Sequence, residues 1–397
     1  MHRCRWALLA GACAAAVAAS ARPARAADGD GERVNVRAEI GAEYDSNVHR
    51  AEQLAGVGAP RVASPLVRGV LGWSAASRLG NRHDVAFSVL GAGKLFAAPE
   101  ARSENVGIVE TGGSWRVAAG TRTRLGLSGA YYEAVQSGTP TERAIDDVAR
   151  DFRSLAPTAV LARALGASGA LLVGAGYRWF VYKPLRTYDF TAPVLSLQYR
   201  WADETADGSA EWELVAGATA ELRRFAGVRL LAPSELCTAQ GCETSPDPAG
   251  TRHQDQFVTG QIEVSRTGLL LLGVGYAAHW NRSNSYTESL IRHIGILRLT
   301  APLVLGVYLA ARAELVYVQY SNPVALAVGP SGRPSATFEE EGRSQIRAEL
   351  SRDLGSRAQL IGRGVFYTNF LTNLLGERAF GYDYRRFTIT LSVAFGF

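Results

Sequence analysis

Residues 387–397, FTITLSVAFGF, end the chain on a strict alternation. Phe387, Ile389, Leu391, Val393, Phe395 and Phe397 share one parity, while Thr388, Thr390, Ser392, Ala394 and Gly396 share the other. A period of two is the signature of a β-strand, whose successive side chains point to opposite faces. In a water-soluble sheet the apolar face would sit on a core, and the strand would seldom stop so abruptly. What that face meets depends on whether the rest of the chain repeats the pattern.

It does repeat. VNVRAEIGAEYD (34–45) opposes an apolar face of Val34, Val36, Ala38, Ile40, Ala42 and Tyr44 to a strongly polar one. A dozen alternating residues is about twice the usual length of a soluble strand and fits a tilted strand that crosses a membrane. Sixteen such segments are expected, within two, at 34–45, 64–78, 84–97, 105–118, 123–136, 151–164, 170–183, 190–201, 209–223, 255–268, 269–282, 288–301, 303–320, 342–354, 357–372 and 384–397. Two are irregular: Pro157 interrupts the sixth, and isoleucines fall on both parities of the twelfth.

The connections alternate as well. Turns near 79–83, 118–122, 165–168, 267–268, 301–302 and 355–356 are short, whereas 46–63, 137–150, 224–254, 321–341 and 371–383 are long. Short turns on one side and long loops on the other are the habit of outer-membrane barrels, with the short side periplasmic. The fold expected is all-β: a single transmembrane antiparallel β-barrel of about 16 strands (14–18), residues 34–397, with both termini periplasmic. The apolar face of the last strand then meets lipid. Lipid offers no partner to an unpaired backbone group, so the sheet must close on itself. Aromatics near strand ends, such as Tyr44, Trp115, Tyr131, Trp201, Trp212, Trp280 and Tyr317, suit interfacial girdles.

The N-terminus agrees. His2, Arg3 and Arg5 precede an apolar stretch from Trp6 to Ala19 and small residues at Ala24 and Ala26. This reads as a secretory signal peptide over 1–26, leaving 27–33 as a short periplasmic segment. The localisation expected is the outer membrane of a Gram-negative cell. Of the four cysteines, Cys237 and Cys242 lie in the mature chain and are read as a local disulfide within the long loop 224–254. His253 is the only nearby histidine, so no metal site is assigned and no cofactor is expected.

No catalytic constellation emerges, and the chain is read as no enzyme. His279 near Asn281 and Ser283, and the pair His83–Asp84, are taken as polar lumen or turn residues. The net charge of +5 is mild and calls for no nucleic acid. By parity, the residues expected to line a pore are Arg37, Glu39, Glu43, Arg68, Lys94, Arg124, Arg178, Arg200, Glu211, Glu213, Glu263, Arg312, Glu314, Arg347, Glu349 and Arg363. Inward aromatics Tyr132, Phe180, Tyr182, Tyr308 and Tyr367 are candidate stacking surfaces for sugar rings.

Two resemblances sharpen the reading. The terminal strand ending at Phe397 resembles the C-terminal signal of bacterial outer-membrane proteins, which implies the barrel-assembly machinery as a partner. Tyr44, Asp45, Ser46 and Asn47 at the end of the first strand resemble the barrel start of polysaccharide-export porins and surface-lipoprotein assembly modifiers. With the first strand expected at 34, no periplasmic repeat domain of those families is expected before it. The resemblance implies an outer-membrane channel, foremost the outlet for a polysaccharide or similar polymer working with periplasmic export proteins. The alternatives are a general or solute-selective diffusion porin and a non-transport structural or lipoprotein-translocating barrel.

Overall fold

The computed structural model describes residues 33–48, 53–54, 57–58, 61–80, 82–136, 152–183, 186–204, 211–231, 245–286, 289–321, 327–328, 334–335, 343–368 and 385–396. Its architecture is one closed antiparallel barrel of sixteen strands. In chain order these begin with β1 (Arg33–Asp45), β2 (Ser64–Leu79), β3 (His83–Phe96), β4 (Val106–Ala118) and β5 (Thr123–Gln136). They continue through β6 (Phe152–Leu165), β7 (Gly169–Tyr182), β8 (Phe190–Glu204), β9 (Glu211–Val228) and β10 (Arg252–Thr267). The last six are β11 (Leu271–Ser283), β12 (Leu290–Pro302), β13 (Val307–Tyr320), β14 (Ser344–Asp353), β15 (Ala358–Thr368) and β16 (Arg385–Gly396). Each strand pairs with its chain neighbours, and β16 closes on β1 with Asp45 opposite Thr388 and Ala38 opposite Phe395.

The alternation sorts the wall into two faces. Along β16, Phe387, Ile389, Leu391 and Phe395 are exposed, while Thr388, Thr390, Ser392 and Ala394 are buried. The same division holds around the ring, with Ile40, Leu71, Leu127, Leu161, Leu195, Ile262, Val274 and Leu350 all exposed. The polar parity lies on the concave side, because its side chains bond across an intervening strand: Lys94 on β3 reaches Glu43 on β1, and Arg363 on β15 reaches Glu39 on β1. Strands two apart are roughly 9.6 Å from each other, a gap that side chains close only where the wall curves toward them. An apolar exterior, a polar interior and no open edge satisfy the requirements for crossing a bilayer on strands.

Exterior aromatics gather in two bands. Tyr44 packs on Phe387 near one rim, and Trp73 packs on Phe87 near the other, where Trp115 and Trp212 also face out. From Phe387 to Phe395 is about 27 Å along the strand, or about 20 Å along the axis at the usual tilt. That is close to the apolar height of a membrane barrel.

The strand borders differ from expectation mainly at the turns. β12 runs on to Pro302 and β13 starts only at Val307, because Val304–Gly306 forms a 3-10 turn in which Leu305 and Gly306 have φ of 61° and 70°. Leu305 therefore belongs to a turn, and a positive φ at a bulky residue is a strained exception. The loop expected at 224–254 is shorter, since β9 reaches Val228 across a bulge and β10 begins at Arg252. Pro157 is accommodated within β6: it faces Gly129 of β5, but pairing with β7 is interrupted between Leu155 and Thr158. Proline has no N–H to give to that side. Residues 1–32, Cys237, Cys242 and Phe397 lie outside the described residues.

One rim carries the short turns at 80–82, 119–122, 166–168, 268–270, 303–306 and 354–357, the other the long loops. Two neighbouring short turns are apolar: Leu269 is 91% exposed, and Leu270, Leu303, Val304 and Leu305 are exposed beside it, with Leu354 exposed at the head of a third turn. The turns at 119–122 and 166–168 read Ala-Gly-Thr-Arg and Gly-Ala-Ser.

Candidate functional site: the barrel lumen

All sixteen residues expected in the pore lie on the inward parity. Most of them are tied into ion pairs. The largest band runs over β14, β15, β1, β2 and β3. Arg363 bonds Glu349 and Glu39, each at 2.6 Å; Arg68 approaches Glu39 and Glu43; Lys94 bonds Glu43 at 2.6 Å. Between these strands, Ser392 and Thr390 of β16 donate hydroxyl hydrogen bonds to Glu39 and Glu43. Arg37 and Arg347 flank the band at its ends. Elsewhere Arg200 pairs with Glu213, Arg312 with Glu314, Arg298 with Glu263 and Arg124 with Asp84. Arg178 on β7 crosses β8 to bond Glu221 on β9 at 2.7 Å, and Arg223 bonds the other oxygen of Glu221.

Burial along the inner face is graded. On β1, Arg37 near the short-turn rim is exposed, Glu39 is 7% exposed, Glu43 4% and Asp45 0%. On β10, Gln261 is exposed and Phe257, Asp255 and His253 are buried. Near the short-turn rim a recess of about 250 Å³ is lined by Asn35, Arg37, Ser74, Ser88 and Glu110. Toward the loop rim the inner side chains are buried.

The loop-rim part of the inner wall has two constructions that parity alone did not reveal. The first is an aromatic ladder. Tyr132, Phe152, Phe180 and Phe190 stack in turn on neighbouring strands with centroids 4.8–5.4 Å apart; Phe225 follows, and His253 stacks on it at 4.0 Å and 6°. The spacing matches the separation of adjacent strands. Ring faces are thereby used on one another, so Phe180 presents an edge rather than a free face to a solute. This corrects the expectation that it offers a sugar-stacking surface. The second is an apolar cluster of Ala277, Ile294, Val316 and Val318 on β11–β13. It accounts for the isoleucines on both parities of the twelfth segment: Ile294 and Ile296 face in.

The resemblance-bearing residues 44–47 form a clasp at the seam. Arg386 on β16 grips Asp45 with two bonds, Nε to Oδ1 at 3.0 Å and Nη2 to Oδ2 at 2.6 Å. Asp45 Oδ1 also accepts the Asn47 N–H, and Ser46 exchanges bonds with the backbone of Phe387. The segment works as turn chemistry that fastens the first strand to the last.

His253 Nε2 lies 2.7 Å from Asp255 Oδ1 and 3.0 Å from Ser283 Oγ. One ring nitrogen thus serves both partners, whereas a relay from serine to carboxylate needs the two nitrogens separately. His83 accepts from the Trp115 indole on the outer wall and is turned away from Asp84, which faces in. Among the described residues no group of three or more His, Cys, Asp or Glu is gathered to hold a metal ion.

Outside the membrane span, Asp247 fastens the loop between β9 and β10. Hydrogen bonds from the Thr251 hydroxyl, the Ala249 N–H and Arg229 hold its carboxyl down to about 2.

By sequence, no family matches the chain and no curated protein is similar to it. By structure, the chain is similar to OccAB1 of Acinetobacter baumannii (TM-score 0.47, 10% identity, 93% of this chain and 98% of that one). OccK11 (OpdR) of Pseudomonas aeruginosa gives 0.44 and 11% identity over 92% and 96% of the two chains. OmpT, an outer membrane protein of Vibrio cholerae, gives 0.42 and 11% over 94% and 99%.

Proposed function

We propose that the protein is a channel of the Gram-negative outer membrane for polar, preferentially anionic solutes. The observation that carries this is the lumen itself: an inner wall lined by charged groups, exposed near the short-turn rim, behind an exterior whose middle band is apolar. Sixteen strands leave room for an aqueous passage, and charged walls set its ion preference. Of the sixteen residues expected in the pore, nine are basic and seven acidic, which favours anions. In this reading residues 1–26 are a cleaved export signal. The short-turn rim and both termini face the periplasm, and the strand ending at Phe397 is the handle for barrel assembly.

A second reading is supported by the graded burial. Inner side chains buried toward the loop rim suit a polymer outlet that opens only when periplasmic partners deliver a chain, for which export of a polysaccharide is the specific form. Single-channel conductance and reversal potential in a planar bilayer separate the two. Discrete conductance steps with a reversal potential on the chloride side are expected of the diffusion channel. A correctly folded barrel that stays silent would overturn that reading and favour the gated outlet.

A further inference from the structure

We propose that the inner wall of β9–β12 holds a binding site for the oxyanion of a solute, built on Arg223 and His279. The Arg223 guanidinium lies over the Phe257 ring at 3.9 Å and over Phe190 at 5.2 Å, and its Nε donates to Glu221. The two rings and the carboxylate fix the plane of the group. Its Nη2 nonetheless has no hydrogen-bond partner among the described residues, although the residue is only 4% exposed. His279, 7% exposed, meets the same Phe257 ring edge-on at 6.0 Å, and its Nδ1 also lacks a partner.

A buried donor left without an acceptor is rare in a finished wall, and two beside one aromatic ring mark a place where something else supplies the acceptor. The surrounding charge agrees. Arg292 stands opposite His279 on β12. The acids facing the site are already engaged: Glu221 by Arg178 and Arg223, Asp255 by His253 and Asn281. Arg178, Arg223 and Arg292 against Glu221 and Asp255 leave an excess of one positive charge. A carboxylate or phosphate oxygen would accept from Arg223 Nη2, in the charge-assisted geometry that an arginine edge favours, and from the Nδ1–H of a neutral His279. Arrival of the solute rests on the channel reading; the site itself does not.

The test uses the purified full chain in detergent, titrated with inorganic phosphate, acetate and glucuronate at constant ionic strength. Binding heat and the His279 ring nitrogen resonances are followed. Saturable binding of at least one probe is expected, with a shift at Nδ1. In Arg223→Gln it should weaken by about ten-fold or more, as expected for loss of one charged hydrogen bond. His279→Phe, which keeps the ring against Phe257, should weaken it too. Preference for phosphate or for a carboxylate tells which oxyanion the site takes. If Arg223→Gln fails to fold, Arg223→Lys keeps the charge without the fork and should still lose affinity. Absence of saturation with all three probes, or equal affinity in the folded variants, overturns the proposal. Binding without conductance would sink the channel reading and leave this one standing.

Discussion

The seam between β1 and β16 offers the sharpest test of how the barrel is held shut. Replacing Asp45 by Ala removes a carboxylate that is wholly buried, bidentate to Arg386 and bonded to the Asn47 N–H. Removing one partner of a buried pair costs about 3–5 kcal/mol, because the other charge remains in place. Arg386 keeps a contact with the Tyr367 ring at 5.4 Å, so the loss is placed at the lower end, about 3 kcal/mol. Asp45→Asn keeps an acceptor for Asn47 and should lose only about 1–2 kcal/mol. The assay is equilibrium urea unfolding in lipid vesicles followed by tryptophan fluorescence, with the Asp45→Ala, Arg386→Ala and double variants forming a cycle. The double variant should be more stable than the sum of the singles predicts, since contacting residues couple. A loss below about 0.5 kcal/mol in Asp45→Ala, or strict additivity, would show that the clasp does not hold the seam.

Two further outcomes follow from the loop rim. Phe190→Ala removes the ring stacked between Phe180 and Phe225 and under Arg223; it should cost about 3–5 kcal/mol in the same unfolding assay, and a near-neutral result would mean the ladder is not packed as described. The depressed Asp247 carboxyl stabilises its loop above the unfolded value of about 3.9, and that contribution is lost as pH falls through about 2. Hydrogen exchange at the Ala249 amide should accelerate relative to the intrinsic rate between those values, and Asp247→Asn should abolish the pH dependence.

The sequence foretold the wall better than its contents. Strand positions were legible to within a few residues, because lipid outside and charge inside impose the alternation on every crossing. β5 was expected at 123–136 and lies there. Turn borders were less legible where turn and wall have the same composition: Leu303, Val304 and Leu305 read as more strand, and only the positive φ of Leu305 and Gly306 sets them apart. The inward charges were legible from parity, but their partners were not. Arg363 and Glu39 are more than three hundred residues apart and meet only through closure of the ring. The ladder was hidden for the same reason. Phe152, Phe180, Phe190 and Phe225 come from different strands, and register alone aligns them. His279 was read as a polar lumen residue; the orphaned nitrogen that gives it interest comes from its neighbours, not from its own segment.

The apolar short turns have a mechanical consequence for how the protein sits. On the β10–β15 side the lipid-facing surface continues past the strand ends through Leu269, Leu270, Val304, Leu305 and Leu354, whereas the 119–122 and 166–168 turns are small and polar. Two additional residues of apolar height add about 5 Å along the axis at the usual strand rise and tilt. Across a sixteen-strand cylinder about 30 Å wide, an oblique collar of that height matches a flat bilayer only when the cylinder leans by about 10°. The barrel axis then stands off the membrane normal, with the rim bearing Leu269, Val304 and Leu305 dipped toward the leaflet and the 119–122 and 166–168 turns lifted toward water.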